Sequence, residues 1–404
     1  MTPAELSRTV LHAVRRAVEA GELPGVSVPG RAVVAPPGPG GRGDYATTIA
    51  LQLAGAAGQP PRRVAEVLRA YLVEADGVTD VAITGPGFLN LTLGSAAPAA
   101  LVAEILRRGP RYGHAPTAPG AVDLDAPGAP VPGAPAPLVL TCAHEPRAVV
   151  VAQAAARILR SQGTPARTRC AAEPHPAWTA ALGARVDAVG GGGSGETAAR
   201  IRPVPAPGGV LRLGRDAGRW ALLHPAQHDR PRVGEGHLVQ RESNPLFRVR
   251  YAHARSRALL RNAADLGFAP DAAADPGTAA GAAPHAAPAT APAAVTADAR
   301  PGTTGVPGTP AGPADAPAPR ALLAALAAHP RVLAAAAEHR APDRLARHLV
   351  VTADAALPFL STVLPRGAEK PSAAHRARLA LAAAAGTVLA GGLTLLGIDA
   401  PDHL

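Results

Sequence analysis

Residues 244–255 read Asn-Pro-Leu-Phe-Arg-Val-Arg-Tyr-Ala-His-Ala-Arg, and this stretch carries the most information about the fold. Wound as a helix, it sets Phe247, Tyr251, Ala254 and Ala258 along one stripe at 4, 3, 4 spacing, the pattern of a buried face. At about 100° per residue, Arg248 and Arg255 border that stripe on one side, and Arg250, Arg257 and Arg261 border it on the other. A helix edged in this way can pack against a core and still meet phosphates. His253 faces away from the stripe and is expected to be exposed.

Around this segment the composition is unusual. The 404 residues leave room for two or three domains, yet they include 43 Gly and 45 Pro and only 2% aromatics. Lys370 is the sole lysine, so the whole chain is shifted toward Ala, Gly, Pro and Arg, and a single arginine is a weak pointer to function. The net charge of +10 is unevenly spread. Residues 241–268 carry six Arg against Glu242 and Asp265, a balance of +4, while residues 269–319 carry one Arg against four Asp, a balance of −3. A pI near 10.9 favours a polyanionic partner such as nucleic acid, although solvated arginine faces give the same figure.

Cys142 and Cys170 are the only cysteines and lie in no Cys-x-x-Cys or Cys/His cluster. That usage fits a reducing cytoplasm and implies neither a disulfide framework nor a zinc site. Charged residues from Glu5 to Glu22 leave no apolar signal core at the N-terminus. Leu379 to Ile398 is an uncharged run of twenty residues, long enough for a membrane span but only weakly hydrophobic. A buried bundle helix is the favoured reading, with Gly391-Gly392 expected to break it.

Along the chain, the repeat Leu6, Val10, Val14, Val18 predicts an opening amphipathic helix. A second helix is expected from Asp44 through Ile49 and Leu53, and a third through Val64, Leu68 and Leu72, led by Pro60-Pro61. Strands over 78–84 and 88–93 follow, joined by Gly85-Pro86-Gly87. These pieces make residues 1–113 an α+β domain. Residues 114–137 read as a linker. Residues 138–236 read as a reduced α/β segment: a strand at 138–140 feeds a helix from about Arg147 to Ser161, with no regular succession of further units. Residues 237–268 and 320–404 form an all-α helical bundle, with Pro330, Pro342, Pro358 and Pro371 marking breaks. Residues 269–319, almost without large apolar side chains, form a disordered Ala/Pro/Gly insert.

Several motifs resemble those of the arginyl-tRNA synthetases. Gly43-Asp44-Tyr45-Ala46-Thr47, with Ile49, Ala50 and Leu51, resembles a motif of that family's N-terminal additional domain, and Gly85-Pro86-Gly87-Phe88-Leu89-Asn90 resembles a turn of the same domain. Asn244-Pro245, Tyr251-Ala252-His253-Ala254-Arg255 and the closing 388–401 segment resemble the anticodon-binding domain. Together these regions span a little over half of the chain. The resemblance implies tRNA as partner, with an arginine isoacceptor the natural candidate. It nominates Arg248, Arg250, Tyr251, His253, Arg255, Arg257 and Arg261 for the anticodon arm, and Tyr45 and Asn90 for the tRNA elbow. Where the family places Tyr and Gln around the central Val, this chain has Arg248 and Arg250. Arginine suits an anticodon loop because it pairs with phosphate through two hydrogen bonds or stacks on an unpaired base.

The family's catalytic centre lies between those ends. It holds ATP with a His-x-Gly-His element at a helix start and stabilises the transferring phosphate with a Lys-Met-Ser-Lys type loop. At the corresponding strand-to-helix junction this chain reads Thr141-Cys142-Ala143-His144-Glu145-Pro146-Arg147, with one His and no Gly, and Lys370 lies far away. The interval from Gly85 to Asn244 is too short for a complete synthetase core plus a linker. His144 and Glu145 read as a helix N-terminal turn rather than an acid/base pair. The run Gly190 to Gly195 lacks the Gly-Lys-Ser/Thr ending of a phosphate loop. The expectation is a non-catalytic, cytoplasmic tRNA-binding protein with no cofactor, no metal and no membrane partner. A degenerate arginine-tRNA ligase and an adaptor that uses the bundle to hold a protein partner are the alternatives.

Overall fold

The computed structural model describes residues 3–35, 37, 43–94, 96–116, 136–191, 196–273 and 319–404. Most of the expected linker and insert, and residues 192–195 of the glycine run, lie outside the described residues.

The N-terminal unit consists of α1 (Pro3–Glu19), β1 (Val34–Ala35), β2 (Tyr45–Thr47), α2 (Ile49–Ala57), α3 (Pro61–Val73), β3 (Val78–Thr84) and β4 (Phe88–Leu93). Its strands form an antiparallel sheet in the order β1-β2-β4-β3. Leu6, Val10 and Val14 of α1 bury against Leu68, Leu72 and Leu89, as the fourfold apolar repeat requires. The helix expected from Asp44 starts only at Ile49, because residues 45–47 are captured by the edge of β4. Asp44 N–H donates to Leu91 O at 2.9 Å, and its carboxylate accepts Leu93 N–H at 2.9 Å. Gly43 precedes them at φ +83°, where a Cβ would lie 2.7 Å from Leu91 O.

After α4 (Ala96–Arg108) comes an α/β unit more regular than the sequence suggested. It contains β5 (Leu138–Cys142), α5 (Pro146–Ser161), β6 (Ala166–Cys170), α6 (Pro176–Leu182), β7 (Ala188–Val189), β8 (Ala198–Ile201) and α7 (Gly214–Leu223). All four strands run parallel in the order β7-β6-β5-β8. Residues 166–170 read Ala-Arg-Thr-Arg-Cys and bury alternate positions, a strand signal that the arginines hide.

The helical C-terminal region consists of α8 (Pro245–Asp265), α9 (Arg320–Glu338), α10 (Pro342–Leu360) and α11 (Ala373–Leu396). One core runs from the parallel sheet into these helices, joining Val150 and Ile158 of α5 to Leu333, Leu349, Leu389 and Leu393. A second core joins Leu101, Val102 and Ile105 of α4 to Leu379 and Leu381, so α4 packs on the bundle although it lies within residues 1–113.

Two expectations about breaks are corrected. Gly391 and Gly392 do not interrupt α11; they permit close packing, since a Cβ on Gly391 would lie 2.6 Å from Pro110 O and one on Gly392 2.4 Å from Leu349 Cδ2. Pro330 and Pro358 lie inside α9 and α10 rather than between helices. Pro330 has no N–H to give the carbonyl four residues back, and the Tyr112 hydroxyl donates to that Leu326 oxygen instead, at 3.3 Å. By length and composition α9 and α11 could each cross a membrane, yet most of α11 is buried within the bundle.

Candidate nucleic-acid interface

Helix α8 begins where the sequence marks it. Asn244 accepts Leu246 N–H on Oδ1 at 3.1 Å and donates from Nδ2 to His237 O and Val239 O, both at 2.9 Å. The side chain thus caps the helix and pins the preceding loop. The buried face differs from the one expected. Leu246, Val249, Ala252, His253, Ala254, Ser256, Leu259 and Ala263 turn inward; of the expected stripe Ala254 is buried, Phe247 and Ala258 are half-buried and Tyr251 is exposed. The cause is the closeness of α11: a Cβ on Gly386 would lie 2.2 Å from Ser256 Oγ, so only small side chains fit at the crossing.

The misplaced aromatic stripe is therefore an outer edge. Phe247 and Tyr251 stack with ring centroids 5.5 Å apart and planes 13° from parallel. One turn further on, Arg255 lies 6.0 Å from the Tyr251 ring and donates to its hydroxyl at 3.0 Å. A row of two aromatic rings and a guanidinium presents flat faces on which unpaired bases can stack. The sequence supplies these residues, and the packing of α8 sets the direction they face.

The remaining arginines of α8 have internal partners. Arg248 pairs with Asp354 of α10 at 2.8 Å, and Arg250 with Asp216 of α7 at 3.5 Å. These two therefore tie α8 to its neighbours. Arg257 meets Asp402 at 3.1 Å, and Arg261 donates to the Asp402 carbonyl at 3.4 Å. Both sides of the Arg257 pair are about half exposed, so it holds little energy and can exchange for phosphate.

Three nominated residues point inward. His253, expected at the surface, is buried, and its Nδ1 donates to Pro401 O at 3.1 Å; burial lowers its pKa despite that bond. Tyr45 is buried in the N-terminal core, where burial and Asp44 raise its pKa. Asn90 is buried in β4 and donates to Thr84 Oγ1 at 2.7 Å, which fixes the Gly85-Pro86-Gly87 turn. Each is engaged inside the protein, because each lies at a strand or helix position facing a packed layer.

At the carboxyl ends of the parallel strands, where α/β folds bind ligands, lies a cleft of about 380 Å³ lined by Thr141, Cys142, Arg169, Cys170, Arg200 and Arg202. Burial and Cys170 push the Cys142 thiol up to about 12, far from a reactive thiolate. Glu145 caps α5 by accepting Ala148 N–H at 2.8 Å, and its other oxygen accepts Ala206 N–H at 3.1 Å. His144 bonds Glu173 O at 2.9 Å and lies against Trp178. Both thus do structural work. Arg147, which the sequence did not single out, is fully buried and donates to the carbonyls of Leu222, Val204, Asp229, Pro225 and Ala226 at 2.6–3.2 Å. It holds the 204–229 segment to the start of α5.

Residues 4–93 match the family described as the arginyl tRNA synthetase N terminal domain, and residues 304–404 match the DALR anticodon binding domain. The chain is related to the arginyl-tRNA synthetases. This synthetase relative is 43% identical over 164 residues to an arginine–tRNA ligase of Frankia alni, covering 40% of this chain and 28% of that one. It is 46% identical over 122 residues to the arginine–tRNA ligase of Kineococcus radiotolerans, covering 30% and 22%. The matches thus span about a quarter of the length of these curated relatives. Among solved structures, the Thermus thermophilus arginyl-tRNA synthetase aligns over 100% of both chains with a TM-score of 0.61 at 14% identity. The Plasmodium falciparum arginyl-tRNA synthetase aligns over 100% of this chain and 99% of its own, with a TM-score of 0.62 at 7% identity. At those identities the likeness is one of fold. The DALR match begins at residue 304, so α8 joins this synthetase relative's C-terminal region through packing on α10 and α11.

Proposed function

We propose that this protein is a tRNA-binding relative of the arginyl-tRNA synthetases that grips the anticodon arm along the outer edge of α8 and does not aminoacylate by itself. The observation that carries the reading is the Phe247–Tyr251–Arg255 row, half-buried at its ends and exposed at Tyr251, beside Arg257 and Arg261, whose partner Asp402 is half exposed. Stacking needs the flat faces this row offers, and phosphate pairing needs guanidiniums whose present partners are weak. The non-catalytic part rests on the 141–147 junction, which reads Thr-Cys-Ala-His-Glu-Pro-Arg where the His-x-Gly-His element of the family would fall, with the Glu145 carboxylate committed to a helix cap. An arginine isoacceptor is the proposed tRNA, and the cytoplasm the proposed compartment.

The test is a tRNA titration at several salt concentrations with the wild type, Phe247→Ala and Tyr251→Ala. Affinity should fall steeply with salt, and each substitution should cost ~1–3 kcal/mol of binding. Unchanged affinity in both variants removes α8 from the interface. Arginine-dependent ATP–pyrophosphate exchange, run with and without tRNA, should be absent; measurable exchange establishes the ligase reading instead.

A further inference from the structure

The arginines that the sequence could not interpret converge on a second cleft. It is open, about 490 Å³ in volume, and lies at the amino ends of β6 and β7, opposite the strand ends just described. Gln153, Arg157 and Arg160 of α5 line it together with Arg185, Asp187 and Arg215. Four guanidiniums thus face one carboxylate. That carboxylate is already engaged: Asp187 Oδ2 accepts from Arg160 at 3.0 Å, from Thr168 N–H at 2.7 Å and from the Thr168 hydroxyl at 3.0 Å. Arg185 and Arg215 make no ion pair among the described residues.

A fifth arginine stands behind the wall. Arg219 is fully buried, donates from Nη1 to Gln153 Oε1 at 2.9 Å and from Nε to Leu396 O at 2.9 Å, and its Nη2 meets no acceptor among the described residues. Burial, followed by the nearby Arg157 and Arg215, lowers its pKa to about 9. Arg219 Nη2 and Arg157 Nη1 crowd the same point, 2.7 and 2.5 Å from where a Cβ of Gly397 would stand. A compositional drift toward arginine scatters guanidiniums over solvated faces, where water screens them. It does not bury one of them behind a cleft whose rim carries four more. Like charges gathered around one cleft repel one another, most strongly at the buried Arg219, until an anion enters. Guanidinium forks fit phosphate oxygens in pairs, so adjacent phosphates suit this cleft better than one carboxylate.

Arg215 also lines the neighbouring cleft of about 330 Å³, which is bordered by Phe247 and Arg250. The arginine cleft therefore adjoins the aromatic edge of α8. We propose that this cleft binds adjacent phosphate groups, contributed by an RNA strand that leaves the α8 edge past Arg215. The inference rests on the tRNA-binding reading for the source of the phosphates but not for the site itself, since a nucleotide polyphosphate offers the same chemistry.

The test uses the full chain, with calorimetric titration of tripolyphosphate and of tRNA. Arg185→Gln/Arg215→Gln removes two exposed cleft arginines, and Arg230→Gln/Arg232→Gln removes the same charge elsewhere. Wild type should bind tripolyphosphate, and the cleft variant should lose about tenfold or more, the equivalent of one charge-assisted hydrogen bond, while the control variant stays within about twofold. A parallel loss of tRNA affinity in the cleft variant assigns the phosphates to RNA; loss of tripolyphosphate binding alone assigns them to a free polyphosphate. Equal effects of the two double variants on both ligands, or no tripolyphosphate binding by wild type, overturn the proposal. Failure of the α8 reading is a separate outcome: Phe247→Ala and Tyr251→Ala would then leave tRNA binding intact while tripolyphosphate still binds.

Discussion

Acidification should loosen the contact between α9 and α10 before it affects the N-terminal unit. His329 of α9 and His348 of α10 are buried with ring centroids 5.3 Å apart, and Tyr112 stacks on His329 at 6.0 Å. Among the described residues neither His329 Nδ1 nor His348 Nε2 has a hydrogen-bond partner, so the pocket receives both rings as neutral groups. Burial, then Arg331, lowers His348 to about 4, and burial, then His348 and His114, holds His329 well below its ordinary value. The unfolded chain takes up protons on these rings near pH 6.5, whereas folded His348 resists until about pH 4 and His329 resists in the same direction. Stability is therefore full above about pH 6.5 and is lost as pH falls through that window. For His348 alone the loss amounts to ~2 kcal/mol by pH 5 and ~3 kcal/mol at the acid limit. His329 adds a loss of the same sign. Hydrogen exchange of α9 and α10 amides, corrected for intrinsic rates, should show protection falling between about pH 7.5 and pH 5, with α1 and α3 much less affected. His348→Phe keeps the packing without the titration and should flatten the response. Equal protection at both pH values, or an unaltered slope in His348→Phe, would refute the account.

Other substitutions probe the packing. Arg147→Met removes the guanidinium donors from five carbonyls, of which Ala226 O keeps the Asp229 N–H, and should cost at least ~3 kcal/mol in urea unfolding, with the 204–229 segment becoming protease-sensitive. Gly391→Ala drives a methyl into Pro110 O and should cost ~1–3 kcal/mol, read as a lower melting temperature. Gly397→Ala combines a left-handed backbone at φ +72° with a clash against two guanidiniums, so it should cost at least ~1 kcal/mol by the same measurement.

Much of the local structure was legible because local rules govern it. The apolar repeat of α1, the proline start of α3, the Gly85-Pro86-Gly87 hairpin and the Asn244 cap are each fixed by residues within a turn or two of one another. The motifs that link the chain to the arginyl-tRNA synthetases are of this kind too. Illegible were the places where a distant element decides. Residues 45–47 become a strand because β4 offers its edge, and Pro330 stays within a helix because Tyr112 takes over a carbonyl more than two hundred residues away.

The candidate site divides along the same line. The sequence by itself determined that an arginine-bordered helix begins at Asn244, that its aromatic residues share one stripe, and that the synthetase nucleotide motifs are absent from the 141–147 junction. Only the tertiary structure decided which way that stripe faces. Periodicity fixes which residues lie together but not which face meets the core. Here the close passage of Gly386 admits only a residue as small as Ser256 at the crossing, and Tyr251 is left exposed with Phe247 half-buried against it. Pairing likewise depends on tertiary contacts: Asp354 and Asp216 occupy Arg248 and Arg250, whereas Arg185 and Arg215 reach a shared cleft and make no ion pair among the described residues.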